Sequence, residues 1–170
     1  LQECSSANNQ VKVLDESWLG APSVYIFGQS ERLMLAKDSL HLDATALLAS
    51  CSNDNIALNN LIFDWRIVSV ENEVLSHIQS ISIDKSKFIL VSYTLNPLSS
   101  YFITVTVHRV GFTDMYSSAT VKVNVDRGDI FPIISNGLHF SLEVGDENYI
   151  LVDASNSYDE DVDINSLNGV

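Results

Sequence analysis

The sequence predicts an all-β protein, an antiparallel sandwich of short strands, on two observations. Apolar and polar residues alternate with a period of two in Leu61–Val68 and Tyr101–His108, which is the pattern of half-buried strands. Such segments recur about every 8–15 residues and are separated by stretches rich in Ser, Asn, Asp and Gly, the spacing typical of a sandwich. The other predicted strands are Val24–Phe27, Arg32–Ala36, Ser39–Thr45, Ile78–Ile83, Phe88–Thr94 and Ala119–Val125.

The charge balance excludes two classes of partner. The 170 residues carry 22 Asp and Glu against nine Lys and Arg, for a formal net charge of −13. A chain this acidic is repelled by phosphate backbones and by anionic membrane surfaces. It also has no apolar run approaching the roughly 20 residues that cross a bilayer. We therefore expect no nucleic-acid partner and no membrane insertion in this segment.

An internal repeat predicts how the chain is divided. Three matches recur in the same order about 110 residues apart. They are Val11-Lys12-Val13 with Val121-Lys122-Val123, Pro22 with Pro132, and Asp43-Ala44 with Asp153-Ala154. The repeat predicts that residues 1–20 end a preceding unit and its linker, that 21–127 form a complete sandwich, and that 128–170 open a further, incomplete unit. Such a chain is either a window cut from a longer array or a half-domain completed by strand donation from another chain.

The segment Tyr149–Asp161, with Asp153-Ala154-Ser155 at its centre, resembles the second strand and following turn of PKD-like repeats and of the receptor-for-egg-jelly (REJ) region. It departs from them at Glu160, where those families usually have proline. Phe63-x-Trp65 is similar to their third-strand tryptophan, but the chain continues Arg66-Ile67-Val68, which favours the looser REJ-like variants. The resemblance implies an immunoglobulin-like, non-enzymatic module of extracellular proteins such as receptor ectodomains, adhesins and surface fibres.

An acidic cluster near the end of the chain is a candidate metal site. Eight carboxylates lie between Glu143 and Asp163, and no Lys or Arg follows Arg127. A divalent cation would relieve their repulsion, and Ca²⁺ takes oxygen ligands of this kind. The alternative is a solvated acidic loop whose Asp and Asn side chains stabilise turns. The candidate calcium ligands are Asp153, Asn156, Asp159, Asp161 and Asp163.

Catalysis has little support in the sequence. The four histidines (His41, His77, His108 and His139) lie in strand-like stretches, and there is neither a G-x-S-x-G elbow nor an H-E-x-x-H pair. The seven glycines are scattered and form no phosphate-binding loop. We therefore expect no enzymatic activity, no catalytic residues and no cofactor other than the possible Ca²⁺.

Aromatic residues and cysteines predict a core and a junction. Trp65 and Tyr101 are the expected core anchors, since a third-strand tryptophan packs across the two sheets of such a sandwich. Trp18 and Leu19 lie in the linker, where we expect them to pack between successive units or chains together with Cys4. In an in-line array Cys4 and Cys51 belong to different units, too far apart to bond within one chain.

Together these features predict a structural or adhesive module of a large extracellular or cell-surface protein. Its partners would be copies of itself or neighbouring repeats of a longer chain. The first form of the hypothesis is head-to-tail assembly in a surface fibre or filament, such as a flagellar hair. The alternatives are a stalk module of a receptor ectodomain and, third, a carbohydrate-binding accessory module, which would need a row of exposed aromatic side chains.

Overall fold

The computed structural model describes residues 21–48, 60–135 and 152–163. Within these ranges the chain forms strands separated by turns and loops. The strands are β1 (Ser23–Ile26), β2 (Glu31–Leu35), β3 (Leu40–Leu47), β4 (Leu61–Ser69), β5 (Lys87–Leu90), β6 (Ser99–Arg109), β7 (Phe112–Asp126), β8 (Ile130–Phe131) and β9 (Tyr158–Asp159).

Strands β1 to β7 form two sheets that face each other. One sheet has the order β1-β3-β5, and the other has the order β2-β7-β6-β4. All pairs are antiparallel except β2 with β7. This crossing of strands between two sheets is the Greek-key arrangement of the immunoglobulin fold. The predicted fold class is confirmed, while the 110-residue tandem repeat stays a prediction.

The core lies between the sheets and is richest along β6 and β7. These strands pair continuously from Ser99 opposite Val125 to His108 opposite Tyr116. Every second residue points inward, because successive side chains of a strand lie on opposite faces. The fully buried inward residues are β-branched, which suits a pleated surface. They are Ile103, Val105, Val107, Val121 and Val123, each at most 1% exposed.

Tyr101, a predicted core anchor, is buried at the start of β6 with 4% of its surface exposed. The backbone N–H of Asn96 donates a hydrogen bond to its hydroxyl oxygen over 3.1 Å. This arrangement is the tyrosine corner of sandwich folds, in which the ring fills the core and the hydroxyl ties down the connection before the strand. Leu98, between the two residues, has a φ of +57°, so the corner also holds a left-handed turn.

Trp65, the other predicted anchor, is half-buried and packs against the margin of the core. Its ring centroid lies 5.3 Å from that of Phe88 on the opposite sheet, and its indole N–H donates to the Lys85 carbonyl over 2.9 Å. Its side chain is only partly covered because β4 is the edge strand of its sheet.

Two strand predictions differ most from the structure. Residues Ile78–Ile83 form no strand. Ile78 packs against the core, whereas Ile81 and Ile83 are 63% and 98% exposed, so this crossover does not present one apolar face to either sheet. Conversely, β7 begins at Phe112, seven residues before the predicted start at Ala119. Its first half pairs with β6 in a hairpin. This half lacks the apolar alternation on which the prediction depended, and pairing with the neighbouring strand stabilises it.

Candidate functional site

The residues that follow the sandwich contact its end, and we call this region the junction: Lys37, Arg127–Phe131 and Tyr158–Asp161. After β7 ends at Asp126, the chain pairs Ile130 with Asp159 and Phe131 with Tyr158 as strands β8 and β9. The rings of Phe131 and Tyr158 stack, with centroids 5.0 Å apart and planes within 17°. The junction thus brings together two segments that lie about 30 residues apart in the sequence.

Glu160 is the central side chain of the junction. Its carboxylate accepts a hydrogen bond from the ammonium of Lys37, which lies in the turn between β2 and β3 of the sandwich. It also accepts the backbone N–H of Asp129 over 3.2 Å, and the Glu160 N–H donates to the Asp129 carbonyl over 3.1 Å. One residue therefore contacts the sandwich and the linker at the same time.

Opposite charges at this point shift the ionisation of both groups. The hydrogen bond from Lys37, followed by that from the Asp129 backbone, holds the pKa of Glu160 below its usual value of 4.5. The same hydrogen bond raises the pKa of Lys37 above 10.5. Both groups are thus charged at neutral pH, and the pair favours the folded junction.

Gly128 approaches the turn so closely that a side chain does not fit. Its N–H donates to Asp161 Oδ1 over 2.9 Å. A Cβ at this position would lie 2.8 Å from the Cβ of Glu160 and 2.9 Å from Asp161 Oδ1. A side chain at Gly128 would force the turn at Glu160 and Asp161 to move away. Glycine is therefore needed at this position for the two segments to approach each other so closely.

A second set of hydrogen bonds extends the pairing beyond β8 and β9. The Ile133 N–H donates to the hydroxyl of Ser157 over 2.9 Å, and the Ser157 hydroxyl donates to the Ile133 carbonyl over 3.2 Å. The Ser135 N–H donates to the Asp153 carbonyl over 2.8 Å. The residues 130–135 and 153–159 are therefore held side by side by backbone and small polar groups.

Three of the predicted calcium ligands accept backbone N–H groups. Asp153 Oδ1 accepts the N–H of Ser155, Asp159 Oδ1 accepts the N–H of Asp161, and Asp161 Oδ1 accepts the N–H of Gly128. In residues 21–48, 60–135 and 152–163, no group of three or more His, Cys, Asp or Glu could hold a metal ion. The calcium site at Asp153, Asn156, Asp159, Asp161 and Asp163 stays a prediction, and the hydrogen bonds of Asp153, Asp159 and Asp161 are those of carboxylates that stabilise turns.

The hydrogen bonds also affect the ionisation of Asp153. Its pKa lies below the ordinary value of 3.8, first because the Ser155 hydroxyl and then because the Ser155 backbone N–H bonds to it, with a contribution from Ser135. Asn156 donates its amide to the Ser135 hydroxyl over 3.5 Å. Between residues 152 and 163 these hydrogen bonds are of the kind expected for the alternative, a loop whose side chains stabilise turns.

Three predicted junction residues (Trp18, Leu19 and Cys4) lie outside the described residues, as does Cys51. Sequence reasoning missed Lys37, Gly128 and Glu160. One signal was available, since Glu160 stands where the resembling families have proline. A proline there would lack the N–H that Glu160 donates to Asp129, so the departure marks the residue that makes the contact.

A family model described as "REJ domain" matches residues 59–169, about two thirds of the chain. No curated protein matches the chain. A solved structure titled "Three N-terminal domains of the bacteriophage RB49 Highly Immunogenic Outer Capsid protein (Hoc)" has a TM-score of 0.41 and 16% identity. The match covers 68% of this chain and 32% of that one. Within the described residues there is no helix with the length and hydropathy that a membrane span requires.

Proposed function

Because this chain belongs to the REJ domain family, we propose that it is a structural module of a large extracellular or cell-surface protein. Its role is to space and orient neighbouring β-sandwich units. The observation that carries the proposal is the contact of Glu160 with both Lys37 and Asp129. A module that sets the direction of its neighbour needs contacts of this kind, because a free linker leaves neighbouring units to rotate independently.

The junction favours a stalk over a fibre assembled from separate chains. Its contacts form within one polypeptide, between the β2–β3 turn and the segment after β7. A series of covalently linked units with such junctions makes a semi-rigid rod, which suits a receptor stalk. Head-to-tail assembly in a filament stays the second candidate, because the internal repeat predicts units of one kind in series.

Carbohydrate binding has less support. The exposed aromatic pair Tyr25 and Phe27, on the outer face of β1, has perpendicular rings with centroids 5.5 Å apart. A sugar ring stacks best on a flat aromatic face, and a perpendicular pair presents one face and one edge. The pair therefore does not provide the row of coplanar rings that such a module needs.

We propose no catalytic role for the module. Among the described residues, hydrogen bonds lower the pKa of every carboxylate with a shifted value, namely Glu31, Asp84, Asp153 and Glu160. A general acid needs the opposite shift, toward neutrality, which burial or a neighbouring carboxylate produces.

Sedimentation velocity and electron microscopy of the pure chain test the choice between stalk and filament. The stalk proposal predicts a monomer across the micromolar range, with a sharp thermal transition. Particles that lengthen with concentration, and that Cys4→Ser does not abolish, would contradict the stalk and support non-covalent filament assembly. The Cys4→Ser variant serves as the control because it removes a thiol that can link two chains by a disulfide without any non-covalent contact between them.

A further inference from the structure

The loop that joins β5 to β6, residues 91–98, holds a bulky residue in an unfavourable backbone conformation. Tyr93 has a φ of +60°, in the left-handed region where the Cβ of an L residue lies too close to the carbonyl oxygen. Glycine and asparagine occupy this region readily, whereas an aromatic residue stays there only when its surroundings hold it. Such a residue marks a place where the fold keeps a particular contact in spite of backbone strain.

The contact that Tyr93 makes is with the β2–β3 turn. The Tyr93 N–H donates to the Ala36 carbonyl over 2.6 Å, and Ala36 directly precedes Lys37. The turn is closed by two hydrogen bonds of its own. The Asp38 N–H donates to the Leu35 carbonyl over 3.0 Å, and the Leu35 N–H donates to Asp38 Oδ2 over 2.9 Å. The Tyr93 N–H therefore ties a closed turn to the loop, one residue before the lysine of the junction.

The loop is itself fastened to the core. Leu95 is buried between the sheets with 4% of its surface exposed, and the Asn96 N–H donates to the hydroxyl of the buried Tyr101. At the start of the loop, the Thr94 hydroxyl donates to the Val91 carbonyl over 2.7 Å. Contacts therefore run without a break from the tyrosine corner, through the loop, to the β2–β3 turn.

We propose that Tyr93 is a positioning residue of the junction, whose left-handed backbone holds the β2–β3 turn where the Lys37 ammonium meets Glu160. Lysine has a long flexible side chain, so its ammonium stays at one point only when the backbone that carries it is fixed. The core thus fixes the loop, the loop fixes the turn, and the turn fixes the point at which the following segment is held. This role rests on the proposed function, because it explains how the sandwich orients its neighbour.

Two substitutions of similar size separate the effect of the backbone from that of the ring. Tyr93→Asn and Tyr93→Val both remove the aromatic side chain, but asparagine tolerates a positive φ and the β-branched valine does not. The amides at positions 129 and 160 form the hydrogen bonds that close the junction, so their hydrogen-exchange protection measures how often it opens. We expect this protection to be at least about fivefold lower in Tyr93→Val than in Tyr93→Asn, because only asparagine restores the left-handed backbone.

Asn72 provides the matched control. It also has a positive φ, of 63°, but it follows β4, at the opposite edge of the four-stranded sheet from β2. Asn72→Val introduces the same conformational conflict there and should leave the protection at positions 129 and 160 within about twofold of the parent. The amide at position 103, in the middle of β6, reports the stability of the sandwich in every variant. A general loss of stability is recognised because it lowers protection at all three positions.

Two results would overturn the proposal. One is equal protection of the junction amides in Tyr93→Asn and Tyr93→Val, which would show that the backbone conformation at this position has no effect on the junction. The other is a loss in Tyr93→Val that is as large at position 103 as at positions 129 and 160, which would show that Tyr93 only stabilises the sandwich. Failure of the orienting role itself gives a different result, since Lys37→Met would then leave the protection of the junction amides unchanged.

Discussion

The sandwich and the junction are held together by different forces. In the sandwich, inward residues of β6 and β7 such as Ile103, Val105 and Val123 are fully buried, and apolar burial gives stability that is nearly independent of pH and salt. In the junction, the contacts are one ion pair, a few hydrogen bonds, one stacked pair of rings and the close approach of Gly128. Such contacts are individually small and depend on ionisation. We therefore expect the sandwich to set the global stability and the junction to set the orientation of the next unit.

The largest expected effect is in the core. Ile103→Ala removes a fully buried side chain between the sheets and should lower the free energy of unfolding by about 3 kcal/mol. Urea denaturation followed by circular dichroism measures it. Phe102→Ala, the neighbouring residue on the outer face at 39% exposure, is the control and should cost less than about 1 kcal/mol. Equal losses for the two variants would mean that β6 does not alternate as described.

The tyrosine corner is expected to contribute less. Tyr101→Phe keeps the buried ring and removes the hydroxyl that accepts the Asn96 N–H. The loss should be about 1 kcal/mol, the typical net contribution of one hydrogen bond. Tyr116→Phe, at a ring that is 60% exposed, should change the unfolding midpoint by less than the experimental error. A silent Tyr101→Phe variant would show that the corner is held by packing alone.

At the junction, Gly128→Ala introduces a Cβ that would meet Glu160 and Asp161. We expect the junction to open. The free energy of unfolding of the sandwich, measured by urea denaturation, should stay within about 0.5 kcal/mol of the parent value. Proteolysis of the linker at Arg127 by trypsin should then accelerate at least about threefold. Adding Glu160→Gly removes one of the two closest contacts of that Cβ and also removes the ion pair, so the double variant is compared with Glu160→Gly alone.

The smallest effect is the dependence of the junction on pH. The pKa of Glu160 is lowered in the folded state, so its contribution is fully present above the unfolded value of 4.5 and is lost as pH falls through the folded value. The trypsin assay is unsuitable at low pH, so the loss is measured as the hydrogen-exchange protection of the amides at positions 129 and 160, relative to the intrinsic exchange rate at each pH. In Glu160→Gln the pH dependence of this protection should disappear. If it persists in that variant, another carboxylate is responsible.

The sequence predicted the parts of the fold that depend on local pattern. The alternation of Tyr101, Ile103, Val105 and Val107 predicted both β6 and its buried face. Apolar residues at every second position indicate a strand with one face in the core, and a shift of one residue would expose them all. The prediction of a strand was wrong for Ile78–Ile83, which belong to neither sheet. Composition does not tell whether a neighbouring element is present to cover an apolar segment.

The candidate site was harder to predict because its contacts are distant in sequence. Lys37 and Glu160 are 123 residues apart, and nothing in the local sequence of either indicates the other. The acidic run suggested metal binding, since clustered carboxylates repel one another in an extended chain. In the fold, Asp159 and Asp161 accept backbone N–H groups at short range, which a count of charges does not reveal, and the metal site stays a prediction.

The measurement that tests the account most directly is the distance distribution between the sandwich and the segment after it. Spin labels at Ser118→Cys on β7 and Ala154→Cys, both exposed positions, in a chain lacking Cys4 and Cys51, report it by pulsed electron resonance. The account predicts one narrow distribution for the parent at neutral pH and a broad one for Lys37→Met and Gly128→Ala. A parent distribution as broad as that of either variant would contradict an orienting junction.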